Sequence, residues 1–185
     1  MEHLSHLALD IPNSDHPRVI IIGGGFAGIQ FAKGLKNSNY QVVMFDRNNY
    51  HTFQPLLYQV ATAGLEPDSI AGALRPLFES QKDFYFRMAR VTAIDVTNKL
   101  VKTLVGEIGY DYLILSNGSK TNYFGNETMK EHTFPLKQVP QALDLRSHML
   151  QNFEQSVMVK DEFEKDALTN FVVVGGGPTG VEVSG

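Results

Sequence analysis

Arg18-Val-Ile-Ile-Ile-Gly-Gly-Gly-Phe-Ala-Gly-Ile-Gln-Phe-Ala-Lys-Gly-Leu35, followed by Tyr40-Gln-Val-Val-Met-Phe-Asp46, decides the fold. The first five residues form an apolar, β-branched run that stops at glycines, the mark of a fully buried parallel strand. Ile29 to Leu35 reads as a helix, and Tyr40–Phe45 as a second buried strand closed by Asp46. Strand, glycine turn, helix, strand and acid fit within about 30 residues, the size of one βαβ unit. A lone G-x-G-x-x-G carries little, but Gly23, Gly25 and Gly28 stand directly between strand and helix, and Asp46 follows Gly28 by 18 residues. That context makes the run a dinucleotide-binding fingerprint. Gly23 permits the tight turn, Gly25 lets the backbone approach a pyrophosphate, and Gly28 lets helix and strand pack closely. The phosphates sit at the positive helix end, and Asp46 accepts from ribose hydroxyls. Asp46 also reads as an ordinary turn acid.

The pattern returns near the end of the chain. Asn170-Phe-Val-Val-Val174 repeats the strand and Gly175-Gly-Gly-Pro-Thr-Gly180 repeats the turn, 152 residues after the first. The sequence stops five residues later, before the acid that would tell NADH from NADPH, so the chain reads as truncated. Two fingerprints imply two dinucleotides, and proteins that hold two commonly pass a hydride from nicotinamide to flavin.

Between the fingerprints, residues 48–64 read as a structured loop with one or two helical turns. Ser69 to Phe78 reads as a helix interrupted near its end by Pro76. Phe84 to Val105 reads as an antiparallel excursion, with Thr97-Asn98 turning the chain between Val91–Asp95 and Leu100–Leu104. Tyr110–Leu115 is another buried strand, closed by Ser116-Asn-Gly-Ser119, and Val139 to Phe153 a helix. Lys160–Asp166 is a charge run of the kind a solvated helix face carries. The domain reading is a flexible leader over 1–17, a first domain over 18–122, a connecting segment with a helix over 123–169, and the start of a second domain over 170–185.

Composition sets the outer limits. With 43% hydrophobic and 19% charged residues the chain can build a real core. A net charge of -4 gives no basic footprint for nucleic acid. The absence of cysteine rules out a disulfide framework, a thiolate metal site and a dithiol relay within these 185 residues. No run reaches the roughly 18 to 20 apolar residues that span a bilayer, and Met1 to Pro17 lacks the order of a signal peptide, so it reads as a cytoplasmic tail. His3, His6 and His16 in that tail have no fixed geometry, and no metal is expected.

The block Asp46-Arg-Asn-Asn-Tyr-His-Thr-Phe-Gln-Pro-Leu-Leu-Tyr-Gln-Val-Ala-Thr-Ala-Gly-Leu65 resembles the signature of type II NADH dehydrogenases, the single-subunit, non-pumping NADH:quinone oxidoreductases. The resemblance runs from Arg18 to Gly185 through Glu66–Ala71, Leu74-Arg-Pro76, Tyr110–Gly118 and Gly175–Glu182. It implies an α/β fold: a Rossmann-like FAD-binding domain, its parallel sheet carrying an antiparallel excursion, then the start of a Rossmann-like NAD(P)H-binding domain. It implies FAD as cofactor, NADH as substrate and a membrane quinone as acceptor. Attachment to the inner face of the cell membrane is expected through a carboxy-terminal part absent here, and a homodimer is compatible with it. Glutathione-reductase-like enzymes and sulfide:quinone oxidoreductases use cysteines this chain lacks. Ferredoxin and rubredoxin reductases remain the alternative enzymes, and an inactive nucleotide-binding fragment the non-enzymatic one. Because the family closes its FAD site with a later Gly-Asp segment, the 185 residues alone are expected to bind FAD weakly and oxidise no NADH.

By the same resemblance Gly23, Gly25, Phe26, Ala27 and Gly28 line the FAD pyrophosphate, Asp46 and Arg47 its ribose end, and Gln54, Pro55 and Leu56 the flavin region. Val91 and the strand-end motif Ser116, Asn117 and Gly118 complete that site, with Ser116 standing where the family usually has alanine. Gly175, Gly177, Pro178, Thr179 and Gly180 belong to the nicotinamide dinucleotide. Glu182 matches a glutamate near the flavin and the quinone. A carboxylate in apolar surroundings holds a proton more readily and could serve quinone reduction, but Glu182 also reads as a first-turn acid favoured by the helix dipole. His51 and Tyr58 read either as proton donors or as packing against the cofactor.

Overall fold

The computed structural model describes residues 7–185, which fall into two compact units. One comprises the chain up to His51 with Gly72–Ser119, the other Thr52–Ala71 with Lys120–Gly185.

The first unit is built on strand β1 (Arg18–Ile22), helix α1 (Phe26–Gly34) and strand β2 (Gln41–Asp46). A two-stranded sheet, β3 (Tyr50–Thr52) with β4 (Ala71–Ala73), carries the chain out of this unit and back. Five more strands follow: β5 (Phe84–Met88), β6 (Val91–Asp95), β7 (Leu100–Thr103), β8 (Gly106–Gly109) and β9 (Tyr112–Leu115). The main sheet has the order β5-β2-β1-β9, and every pair in it is parallel. Numbered by their place in the chain these strands run 3-2-1-4, the first half of the doubly wound dinucleotide-binding order, with its switch point between β1 and β9.

Alternation along the strands feeds two cores. Val19, Ile21, Val42 and Met44 face Ile29 and Ala32 of α1 together with Leu74 and Phe78. Ile20, Val43 and Phe45 face Val101 and Ile108 of an antiparallel β6-β7-β8 meander. This meander takes the place of a crossover helix between β5 and β9. Its first turn is held by Asp95, whose carboxylate accepts from the Asn98 side chain and backbone at 2.9 Å each, which holds that carboxyl below its ordinary range.

Three expectations from sequence give way here. Phe84–Met88 lies parallel beside β2 in the main sheet, not in the antiparallel excursion. Period-two alternation is the same for both pairings, so only the neighbour decides. Residues 69–78 form no α-helix but the strand β4 and a tight helical turn at Arg75–Phe78. Gly72 and Pro76 disfavour a helix interior, and the Leu74 N–H donates to Asn49 O at 2.9 Å instead. The stretch read as a flexible leader is docked over residues 9–14. Leu9 is buried among Ile20, Phe45 and Val101, Arg87 donates to the Leu9 and Asp10 carbonyls, and the fully buried Gln41 donates to Pro12 O at 3.0 Å. Apolar Leu9 and Ile11 supply area that the polar context around them concealed.

The second unit is helical. It contains α2 (Leu57–Ala61), α3 (Glu127–His132), α4 (Val139–Ser156), α5 (Glu162–Thr169) and α6 (Pro178–Ser184). Helix α4 starts in a reciprocal capping box between Gln138 and Gln141, and it packs on both α2 and α5. Leu57, Val60 and Ala61 of α2 and Ala142 of α4 are buried. The predicted strand over 170–174 does not form: no residue there has strand pairing, and Val172 is 88% exposed. A parallel strand exists only through hydrogen bonds to its neighbours, and no described residue lies alongside to make them.

Ile20→Ala removes a fully buried side chain from the centre of the main sheet. It is expected to cost about 2–5 kcal/mol in urea unfolding. Val96→Ala, at a position 74% exposed, should stay within about 0.5 kcal/mol of the parent.

Candidate functional site

Strands β1, β2 and β9 end side by side at Ile22, Asp46 and Leu115, and the segments that follow them converge. Gly23 takes φ +108°, and its N–H donates to Phe45 O at 2.8 Å. A Cβ there would lie 2.3 Å from the Ser116 carbonyl oxygen. A Cβ at Gly28 would lie 2.0 Å from the Gly23 carbonyl oxygen, so α1 crosses its own strand with nothing between the backbones. Gly25, by contrast, has nothing within 4 Å of its would-be Cβ. It caps α1 in an extended conformation without a side-chain cap, and no acid sits in the first turn. The leading N–H groups of a helix have no partner within it, and Gly25, Phe26 and Ala27 at the start of α1 are exposed. The turn is rigid where it meets the sheet and open where a ligand would lie.

Two side chains clamp the turn. The Asp46 carboxylate accepts from the Gly24 N–H at 2.6 Å through Oδ2 and from the Asn48 N–H at 2.8 Å through Oδ1. The Ser116 hydroxyl lies 3.0 Å from the Ile22 carbonyl and 2.9 Å from that of Gly23, and donates there. It ties the end of β9 to the glycine turn at the switch point. Asn117 and Gly118 follow on the exposed rim, Gly118 at φ +70°. Arg47 is exposed, and Val91 is half-buried against the meander core. His51 contributes an unforeseen feature. Its ring meets that of Phe26 edge-on, with centroids 4.8 Å apart at 84°, while its Nδ1 is shielded from solvent without a hydrogen-bond partner. Leaving such a group unpaired costs about 1–3 kcal/mol.

In the second unit the tight turn Gln54–Leu56 leads into α2, and Gln54 donates to the Lys137 carbonyl at 3.4 Å. Helix α2 also packs on α6. The second glycine turn reproduces the first: Gly175 has φ +116°, Gly177 is an extended cap with ψ 174°, and a Cβ at Gly180 would again lie 2.0 Å from the carbonyl oxygen of the first glycine. The Val181 N–H donates to Gly177 O at 3.1 Å, as that of Ile29 does to Gly25 O at 3.0 Å. Gly175 differs from Gly23 in one respect, since nothing lies within 4 Å of its would-be Cβ where Gly23 meets the end of β9. Pro178 and Thr179 open α6 and are exposed. Glu182 is the fifth residue of α6, beyond its first turn, and is exposed, so neither the apolar enclosure nor the first-turn position expected for it is formed by the described residues.

His3 and His6 lie outside the described residues. His16 Nδ1 is 3.6 Å from Asp83 Oδ2, and no group of three or more metal-ligating side chains occurs among the described residues.

A family model described as pyridine nucleotide-disulphide oxidoreductase matches residues 17–185. The chain belongs to this family. The disulphide of the family's description is absent from these 185 residues, which contain no cysteine. The chain is 40% identical over 173 residues to the type II NADH:quinone oxidoreductase NdhA of Mycobacterium tuberculosis. It is 35% identical over 179 residues to the mitochondrial external alternative NAD(P)H-ubiquinone oxidoreductase B4 of Arabidopsis thaliana. Those alignments cover 91% and 90% of this chain but 37% and 31% of the relatives, so the chain spans about a third of their length. The fold matches NDH2 from Plasmodium falciparum solved with NADH, with a TM-score of 0.82 and 27% identity over 90% of this chain and 36% of that one.

Gly28→Ala and Gly180→Ala each press a methyl group into a backbone carbonyl. For Gly28→Ala the expected loss is about 3 kcal/mol or more in urea unfolding, the upper end for overpacking. Gly25→Ala, which meets nothing, should cost less than about 1 kcal/mol, the scale of a weakened helix cap.

Proposed function

We propose that the full-length protein is a flavoprotein NADH:quinone oxidoreductase that moves no protons across the membrane. The observation that carries this reading is the glycine turn formed twice with one geometry, in a chain 40% identical to a type II NADH:quinone oxidoreductase. The residues at the first turn fit FAD. Gly23, Gly25, Phe26, Ala27 and Gly28 form a glycine turn, open beside Gly25, that offers the start of α1 to a pyrophosphate. Each Asp46 carboxylate oxygen accepts one backbone N–H and retains a lone pair for a ribose hydroxyl, whereas a 2′-phosphate would be repelled. By resemblance to the family, Arg47, Val91, Ser116, Asn117 and Gly118 are assigned to the same FAD, and Gln54, Pro55 and Leu56 to the flavin region.

Bound FAD supplies the chemistry this chain lacks, accepting a hydride from NADH and passing electrons to a quinone. The chain supplies position. Gly175, Gly177, Pro178, Thr179 and Gly180 hold the NADH pyrophosphate at the start of α6, and Glu182, one turn further on, holds and moves protons for the quinone. The quinone site and attachment to the inner face of the cell membrane are assigned to the rest of the protein. No helix of the described residues is long and apolar enough to cross a membrane. The resemblance is also compatible with a homodimer.

The test is the absorption spectrum of the purified full-length protein, followed by NADH without oxygen and then a soluble quinone. Flavin bands that bleach with NADH and return with quinone are expected. Bands that return only with a protein electron carrier would move the assignment to a ferredoxin or rubredoxin reductase, and a colourless protein would remove the FAD site altogether. Glu182→Gln should slow quinone reduction about a hundredfold or more, the lower range for loss of a proton-transfer group, while leaving flavin bleaching by NADH unchanged.

A further inference from the structure

We propose that Ser116 is a positioning residue for the cofactor, its hydroxyl holding the peptide between Gly23 and Gly24 in the orientation that FAD binding requires. The inference rests on the FAD assignment above and deepens it. Strand β1 lies between β2 and β9, so each of its peptides can reach one neighbour with its N–H and the other with its C=O. The peptide joining Ile22 to Gly23 does so through backbone groups. Its N–H donates to Phe45 O at 2.8 Å, and its carbonyl accepts from the Ser116 N–H at 2.9 Å. The next peptide, joining Gly23 to Gly24, is held in the same two directions by side chains. Its N–H donates to the Asp46 carboxylate at 2.6 Å, and its carbonyl accepts at 2.9 Å from the Ser116 hydroxyl, which also lies 3.0 Å from Ile22 O. Asp46 and Ser116 thus extend the sheet by one peptide past its end.

That peptide sets where α1 begins. Gly23 O is the atom against which the helix lies at Gly28, and Ser116 Oγ stands 2.8 Å from the position a Cβ of Gly28 would take. One hydroxyl therefore meets the turn and the helix together. The pyrophosphate is assigned to the start of this helix, and a turn already fixed there leaves less to be ordered when the dinucleotide binds. Without the hydroxyl the peptide keeps its hold on Asp46 and loses this tie to the end of β9.

Three substitutions in the full-length protein separate positioning from general support. Ser116→Ala removes the hydroxyl and Ser116→Thr keeps it. Ser38→Ala removes a different one, which donates to the Leu35 carbonyl at 2.6 Å beyond the far end of α1. FAD affinity is read by titrating the deflavinated protein, and its thermal unfolding is followed in parallel without FAD. The expected result is FAD affinity about fivefold weaker in Ser116→Ala, the scale of one net hydrogen bond, and restored to within about twofold in Ser116→Thr. Ser38→Ala should unfold earlier without FAD and still bind it within about twofold of the parent. Ser116→Ala binding FAD as tightly as the parent overturns the inference while leaving the FAD assignment standing. So does a loss of affinity that Ser38→Ala shares in equal measure, or one that Ser116→Thr fails to restore. A parent protein that takes up no FAD overturns both.

Discussion

A Cβ at position 28 would stand 2.0 Å from the carbonyl oxygen of Gly23, and the first unit is arranged around that missing atom. Without it, α1 lies directly on β1, which lets Ile29 and Ala32 reach Val19, Ile21, Val42 and Met44 and complete one of the two cores. The same approach fixes where the helix begins. The helix then starts at the carboxyl ends of the strands, the place where doubly wound sheets bind their ligands. Packing and the position of the helix start thus rest on a single steric condition.

The supports around the turn extend that condition to neighbouring strands. Asp46 links the end of β2 to Gly24 and Asn48, while Ser116 links the end of β9 to the carbonyls of Ile22 and Gly23. Each uses a side-chain oxygen to satisfy backbone groups that the sharp turn leaves outside the sheet ladder. The Ser116 hydroxyl therefore adds a tie at the switch point. His51 stands apart, because its buried Nδ1 has no hydrogen-bond partner among the described residues.

The two glycine turns separate local from non-local causes. Around Gly175 the φ angle, the extended cap and the carbonyl contact all match those around Gly23, although no strand forms before it. The turn is thus encoded by its own glycines and by the helix they start. The strand is not, because its hydrogen bonds belong to its neighbours as much as to itself.

The sequence by itself determined the elements whose causes are local. Strands β1 and β2 follow from β-branched runs ended by glycine or aspartate, and α4 was read over Val139 to Phe153, three residues short of its end at Ser156. Both glycine turns were legible because glycine alone suits the positive φ of Gly23 and Gly175 and the carbonyl contacts of Gly28 and Gly180. Tertiary structure decided everything that depends on a partner distant in the chain. It placed β5 beside β2, closed the meander over one sheet face, and docked residues 9–14 through Arg87 and Gln41. It also buried the His51 nitrogen beside Phe26. Hydrophobic period and turn chemistry act over a few residues and can be read along the chain. Burial and strand pairing are properties of the space that other segments fill, and no local pattern carries them.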